Sequence, residues 1–125
     1  MKTVIHTTDA PDPIGPYSQA VKHGNTLFLS GQIAIDPKSG TMVMNDIPSE
    51  THQVMKNIAA VLKASGTEFS NVIKTSIFLK NMDDFAQVND VYGSYFTGDY
   101  PARETVAVLT LPKDVNVEIS MVVAV

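Results

Sequence analysis

Cysteine is absent from this sequence of 125 residues. Its absence excludes disulfide bonds, catalysis by a thiolate and metal sites built on cysteine. Long apolar runs are missing too: none is longer than the one at residues 121–125, far short of a membrane span. The first residues also lack the apolar segment of a secretory signal. We therefore expect a cytoplasmic protein that has no membrane partner.

Positive charge is sparse and scattered along the chain. The formal net charge is −4 and the lysines stand singly, whereas a nucleic-acid-binding surface is usually basic and clustered. His6, His23 and His52 have no metal-ligand spacing, and the chain has no glycine-rich phosphate or dinucleotide loop. We therefore predict no nucleic-acid partner, no metal and no cofactor.

Arginine occurs once. Arg103 stands within residues 101–105, just ahead of an apolar segment, and the other eight of the nine basic residues are lysines. A guanidinium is a planar fork of donors that binds a carboxylate or phosphate through two parallel hydrogen bonds. The sequence thus indicates either an anion-binding side chain or a structural ion pair with Glu104 or Asp99.

Composition indicates one globular domain that spans residues 1–125. Apolar residues make up 44% of the chain and charged residues 18%. Turn signals and hydrophobic periodicity predict an α+β fold of roughly six strands and two helices. The strand-forming segments are residues 3–7, 19–22, 26–30, 32–35, 72–79, 103–109 and 115–123.

Both helices are predicted from apolar residues spaced three and four apart. The first has Ser49 as a plausible N-cap and stops at Gly66. The second is capped by Asp83 or Asp84 and continues to Phe96. The apolar stripe of the first helix consists of Val54, Ile58, Val61 and Leu62.

Several strands are apolar on both registers, including residues 106–109 and 121–125. Strands of this kind are usually covered on both faces of their sheet. Two helices can cover only one face, and the chain offers no third layer. We therefore predict a homo-oligomer whose subunits pack sheet against sheet.

An ordered set of short motifs extends over almost the whole chain and resembles the RidA (YjgF) family. The motifs are Gly15-Pro16-Tyr17-Ser18-Gln19-Ala20, Ser30-Gly31-Gln32-Ile33, Asn89, Pro101-Ala102-Arg103, and Leu111-Pro112-Lys113-Asp114 leading to Glu118. The resemblance implies a six-stranded mixed sheet with two helices on one face, like that of small chorismate mutases. It also implies a homotrimer with a central barrel of sheets and with sites between adjacent subunits.

The activity that the resemblance implies is hydrolysis of reactive 2-imino acids to 2-keto acids and ammonia, without a cofactor. These imines are released by pyridoxal-phosphate-dependent dehydratases that act on serine or threonine. Arg103 would bind the substrate carboxylate, and Glu118 would serve as general base or acid. The other residues implied around the substrate are Tyr17, Ser30, Gly31, Phe85, Asn89 and Thr105.

Other interpretations of these residues stay open at this point. Glu118 could form an interface ion pair with a lysine, Tyr17 and Phe85 could simply pack, and Asn89 could be a surface amide. Many family members have a cysteine where this chain has Thr105, but attack by water requires no protein nucleophile. A non-catalytic protein that binds a keto acid would use the same arginine, whereas RNA cleavage is disfavoured by the acidic charge.

Overall fold

Six strands form one mixed sheet in the computed structural model, which describes residues 1–125. The strand order is β1-β2-β3-β6-β4-β5, and only β4 and β5 pair in parallel. The strands are β1 (Thr3–Ile5), β2 (Ala20–His23), β3 (Thr26–Leu29), β4 (Val72–Leu79), β5 (Ala102–Ala107) and β6 (Val117–Ala124). The helices are α1 (Ile47–Ala64) and α2 (Phe85–Gly93). The predicted α+β class is confirmed.

The core lies between the helices and one face of the sheet. Strict alternation along β6 buries every second side chain, from Val117 to Val123, while the residues between them are only partly buried. On α1 the predicted apolar stripe is confirmed, since all four of its members are at most 1% exposed. Burial of each such side chain stabilises the fold by roughly 1.5–3 kcal/mol.

The start of α1 differs from the prediction. Asp46 is the N-cap, not Ser49: its Oδ1 accepts a hydrogen bond of 2.7 Å from the Ser49 backbone N–H. The helix therefore begins three residues earlier and holds Pro48 in its first turn, where a missing N–H has no effect. The predicted stop at Gly66 is confirmed by its positive φ of 74°. Neither helix combines the length and apolarity needed to cross a membrane.

Two further segments correct the sequence interpretation. Residues 32–35 are not a strand: they form only isolated bridges, and the Asn57 Nδ2 on α1 donates to the backbone oxygens of Ile33 and Ile35. Helix α2 ends at Gly93 rather than Phe96, because the next three residues continue in tighter turns. Asp84 precedes α2 without a side-chain capping bond, whereas Asn81 caps the preceding turn.

The face of the sheet opposite the helices, called the open face here, is rich in apolar side chains. Phe28 pairs with Val122, and Phe78 pairs with both Val106 and Glu118. Phe28 is 51% exposed and Val106 is 41% exposed in the single chain. An apolar surface of this kind is typical of a protein–protein contact. Packing of this face against further copies stays a prediction.

Candidate functional site

Strand β5 presents alternate side chains to opposite faces of the sheet. Arg103 pairs with Thr75 and Thr105 pairs with Ile77, both of which are fully buried beneath the helices. Arg103 and Thr105 therefore lie on the helix side. Glu104 lies on the open face, where its carboxylate binds Lys74 at 2.8 Å and the Ser76 hydroxyl.

Hydrogen bonds from Lys74 and Ser76 hold the pKa of Glu104 below its usual value. This carboxylate is thus engaged on the other side of the sheet, where it does not compete for Arg103. The three ion pairs of the chain do not include Arg103 either. The interpretation of Arg103 as one half of a structural ion pair is therefore wrong.

An amide and two aromatic rings hold the guanidinium instead. Arg103 Nη1 donates a hydrogen bond of 2.7 Å to Asn89 Oδ1 on α2. Its central carbon lies 5.7 Å from the ring centroid of Phe85 and 5.2 Å from that of Tyr92, within cation–π range. Asn89 is therefore no free surface amide, and Phe85 contributes to the surroundings of Arg103 rather than to the core. The positive charge stays available to an anionic ligand.

Arg103 faces a cavity of about 440 Å³. A pocket of this size and composition, with one cation among aromatic walls, suits a small carboxylic acid with an apolar part. The sequence analysis missed Tyr92, Gly93 and Tyr100 as lining residues. Positions 89, 92 and 93 are three and four residues apart and therefore lie on one helix face. This spacing could have predicted that Tyr92 and Gly93 lie beside Asn89. The lining residues are Asn89, Tyr92, Gly93, Tyr100, Pro101 and Arg103.

Thr105 carries the one buried side-chain polar atom that has no hydrogen-bond partner. An unsatisfied buried hydroxyl costs about 1–3 kcal/mol. Thr105 lies two residues after Arg103 on the same face of β5, although it is not among the residues that line the cavity of Arg103. We call Arg103, Asn89, Phe85 and Thr105 the arginine cluster.

Glu118 belongs to a different cavity, of about 390 Å³, on the open face. Tyr17, Ser30 and Gly31 line it together with Glu118, and we call these four residues the glutamate cluster. Glu118 forms no ion pair within the chain, and an ion pair with a lysine across an interface stays a prediction. Burial raises the pKa of this half-buried carboxyl. The cavity is completed by Ile14, Ile33 and Pro112.

The Glu118 side chain lies against the backbone of Gly31. A Cβ added at Gly31 would lie 2.7 Å from Glu118 Cδ, so any other residue there would require the carboxyl group to shift. Next to it, the backbones of Gln32 and Ile119 exchange hydrogen bonds of 2.8 and 3.1 Å. These bonds, made by the residues that follow Gly31 and Glu118, hold the two segments together.

Loop residues complete the glutamate cluster. Ser30 Oγ donates to the Ser18 carbonyl at 2.5 Å, which anchors the end of β3 to the preceding loop. The Tyr17 hydroxyl accepts from the Ile14 N–H at 3.3 Å. Tyr17 and Glu118 line the same cavity, but no hydrogen bond joins them.

Glu50, in the first turn of α1, is a buried carboxylate. It is 0% exposed, and it accepts hydrogen bonds from Asn116 N and Nδ2, both at 2.8 Å, and from Val117 N at 3.3 Å. These bonds attach the start of β6, and hence Glu118, to α1. The sequence could have predicted the burial of Glu50, because Glu50 lies four residues before Val54 and eight before Ile58, in line with the apolar stripe.

We expect the Glu50→Gln variant to lose about 2 kcal/mol of unfolding free energy, because an amide NH2 would face the donors of Asn116. Urea denaturation measures this loss. Glu68→Gln is the matched control, since Glu68 is exposed and bonds only Ser70 nearby. Equal stability of the two variants would contradict the anchoring role of Glu50.

The two clusters do not meet within one chain. The arginine cluster faces the helices, whereas Glu118, paired with Phe78, lies on the open face of the same sheet. A small ligand cannot contact Arg103 and Glu118 of the same subunit at once. The eight predicted site residues are therefore gathered into two groups of four, on opposite sides of the sheet.

Comparisons with known proteins agree with this architecture. The family model described as Endoribonuclease L-PSP matches residues 7–125. A RutC family protein of Pyrococcus horikoshii is 54% identical over 122 residues, which are 98% of this chain and 97% of that protein. A mouse protein named 2-iminobutanoate/2-iminopropanoate deaminase is 45% identical over 122 residues, covering 98% and 90%. The crystal structure of a Rid-family protein of unknown function from Yersinia pestis covers both chains fully, at 49% identity and a TM-score of 0.97.

Proposed function

Because this chain belongs to the RidA (YjgF, L-PSP) family, we propose that it hydrolyses 2-imino acids such as 2-iminobutanoate and 2-iminopropanoate. The products are the 2-keto acid and ammonia. One observation carries the proposal: the only guanidinium of the chain is held by an amide, without a carboxylate partner, at the wall of a cavity. A carboxylate next to a reactive carbon is the ligand that this arrangement favours.

The reaction adds one water and loses one ammonia. Arg103 binds the substrate carboxylate through its planar fork, and Asn89 fixes the orientation of that fork. Glu118 accepts a proton from water as the water oxygen bonds to the carbon of the N-protonated imine, whose C=N π electrons pass to nitrogen. The resulting tetrahedral intermediate expels ammonia when Glu118 returns its proton to the departing nitrogen. The C–N bond breaks, the hydroxyl oxygen forms the carbonyl and releases its proton to solvent, and no redox change occurs.

The raised pKa of Glu118 suits this role. A carboxyl with a raised pKa holds a proton more readily, so it can accept one from water and return it within one turnover. The free Thr105 hydroxyl is an additional donor for the bound carboxylate. Water is the nucleophile, so the threonine at this position is compatible with hydrolysis.

A shared site between copies of the chain completes the proposal. Arg103 and Glu118 lie on opposite sides of one sheet, so a second copy has to bring its glutamate cluster to the arginine cluster of the first. We propose a homotrimer in which the apolar open faces form a central barrel. The exposed Phe28 and Val106 would then be buried between subunits.

An assay coupled to a threonine dehydratase tests the activity. The dehydratase releases 2-iminobutanoate, and semicarbazide traps whatever has not been hydrolysed. We expect this protein, at catalytic concentrations, to reduce the trapped fraction and to speed 2-oxobutanoate formation. An unchanged trapped fraction over a wide range of protein concentration would contradict the proposed function.

Mixed oligomers test the shared site. When Arg103→Ala and Glu118→Gln chains with different tags are assembled together, roughly a quarter of the sites should combine an intact arginine with an intact glutamate. Each doubly tagged trimer has one such site in three, so we expect the doubly tagged species to show roughly a third of wild-type activity, whereas each parent variant is nearly inactive. Doubly tagged oligomers no more active than the parents would contradict sharing between subunits.

A further inference from the structure

The backbone conformation at Gly93 does not require a glycine. It is the last residue of α2, and its φ is not among the positive values of the chain. A Cβ added there would meet no atom within 4 Å. Glycine is a poor helix former compared with alanine, so neither conformation nor packing explains its presence at this position.

The position of Gly93 beside the arginine cluster offers an explanation. Gly93 lines the cavity of Arg103 and lies one helical turn after Asn89, which holds the guanidinium. Side chains on a helix lean toward its N-terminus. A side chain at position 93 would therefore lean toward Asn89 and narrow the space in front of Arg103.

The space that Gly93 leaves open has aromatic walls. Tyr92 and Tyr100 line the same cavity, and the Tyr100 ring is 67% exposed and contacts Phe96 at a centroid distance of 6.2 Å. The volume of about 440 Å³ falls in the range of pockets that hold ligands of drug size. In the proposed shared site the glutamate cluster of a second copy would take up one part of this volume, and the remainder is the space open to the substrate.

We infer that Gly93 is a specificity-determining residue that keeps open a subsite for the substrate side chain, between Tyr92 and Tyr100. The substrates would then include 2-imino acids with long apolar side chains, in addition to the short ones. This inference rests on the proposed function, because it takes the carboxylate of the imino acid to be bound by Arg103.

The test compares wild-type protein with Gly93→Ala and Gly93→Leu on two imines. An amino-acid oxidase generates the short imine from 2-aminobutanoate and the long imine from leucine, and semicarbazide trapping gives kcat/KM for each. We expect the wild type to use both within about tenfold of each other. Gly93→Leu should lower kcat/KM for the long imine by about 100-fold and for the short imine by less than about fivefold, with Gly93→Ala in between.

Several results would overturn the inference. A wild type that prefers the short imine by more than about 100-fold has no open subsite. Equal losses of kcat/KM on the two imines, or no loss on either, would show that position 93 does not discriminate between substrate side chains. If Gly93→Leu did not fold, the wild-type ratio and the Gly93→Ala variant would still decide, because alanine suits a helix better than glycine.

Binding of the products separates this inference from the proposed chemistry. Calorimetry with 2-oxobutanoate and 4-methyl-2-oxopentanoate measures the subsite without turnover. We expect Gly93→Leu to weaken binding of the branched acid selectively. Should the wild type hydrolyse no imine while this selective weakening is seen, the proposed function fails and the subsite stands; uniform binding by all three proteins overturns the subsite.

Discussion

The Arg103→Ala variant is expected to lose about 10³-fold in kcat/KM for imine hydrolysis. Two charge-assisted hydrogen bonds to the substrate carboxylate contribute about 2 kcal/mol each, and 1.36 kcal/mol corresponds to a factor of ten in rate. Arg103→Lys keeps the charge but not the planar fork, so we expect a smaller loss of about 10–100-fold. Initial rates in the trapping assay measure both effects.

Control variants separate the chemistry of Arg103 from its packing. Arg103 also contacts Asn89, Phe85 and Tyr92, so thermal unfolding of each variant has to be followed beside activity. Lys56→Ala removes a positive charge from the exposed face of α1 and should leave kcat/KM unchanged. Wild-type rates in a folded Arg103→Ala protein would eliminate the carboxylate-binding role.

The Glu118→Gln variant is expected to lose about 10²–10⁴-fold in kcat, the usual contribution of a general base or acid. Binding of 2-oxobutanoate should change little, because Arg103 and not Glu118 holds the carboxylate. Calorimetry and the trapping assay, applied to the same preparation, give both quantities. Near-normal turnover would assign the proton transfers to another group.

The pH dependence of the rate gives a second test of Glu118. Burial raises its pKa, and a base must be deprotonated to accept a proton from water. The wild-type rate should therefore fall as the pH is lowered through this raised pKa, at a higher pH than for an exposed glutamate. The residual rate of Glu118→Gln, after subtraction of the uncatalysed hydrolysis, should not show this fall at low pH.

The stability of the fold should depend on pH with opposite signs at two carboxylates of the open face, Glu118 and Glu104. The charged form of Glu118 is disfavoured in the folded chain, so stability rises as the pH falls through its folded pKa, and Glu118→Gln should unfold at an equal or higher temperature at pH 8. Glu104 has a lowered pKa because Lys74 and Ser76 bind its carboxylate. Its contribution is present at neutral pH and is lost as the pH falls through the folded pKa, so Glu104→Gln should unfold at a lower temperature.

Local patterns were sufficient to predict much of the fold. The stripe on α1, the stop at Gly66 and the alternation along β6 each depend on residues close together in sequence. Two of the wrong predictions show where local patterns mislead. Ser49 is a typical N-cap residue, but Asp46 supplies the cap and leaves Pro48 in the first turn. Residues 32–35 have strand-forming residue types, but the backbone oxygens of Ile33 and Ile35 are bonded by Asn57, 24 and 22 positions away, instead of by a neighbouring strand.

The arrangement of the candidate site could not be predicted in the same way. Arg103 and Glu118 stand out by residue type and motif, but their placement on opposite faces depends on β5 joining the sheet edge in parallel beside β4. Strand order and register are long-range properties that periodicity does not contain. The pairing of Glu50 with Asn116 is also a contact between distant segments, 66 positions apart.

The separation of Arg103 from Glu118 by the thickness of one sheet has a consequence for how such a protein would fail. In a closed ring, every polypeptide would contribute its Glu118 to the site shared with one neighbour and its Arg103 to the site shared with the other. Chemical damage to a single copy at both positions would then silence two reaction centres, and dilution below the assembly threshold would silence all of them while each chain stayed folded.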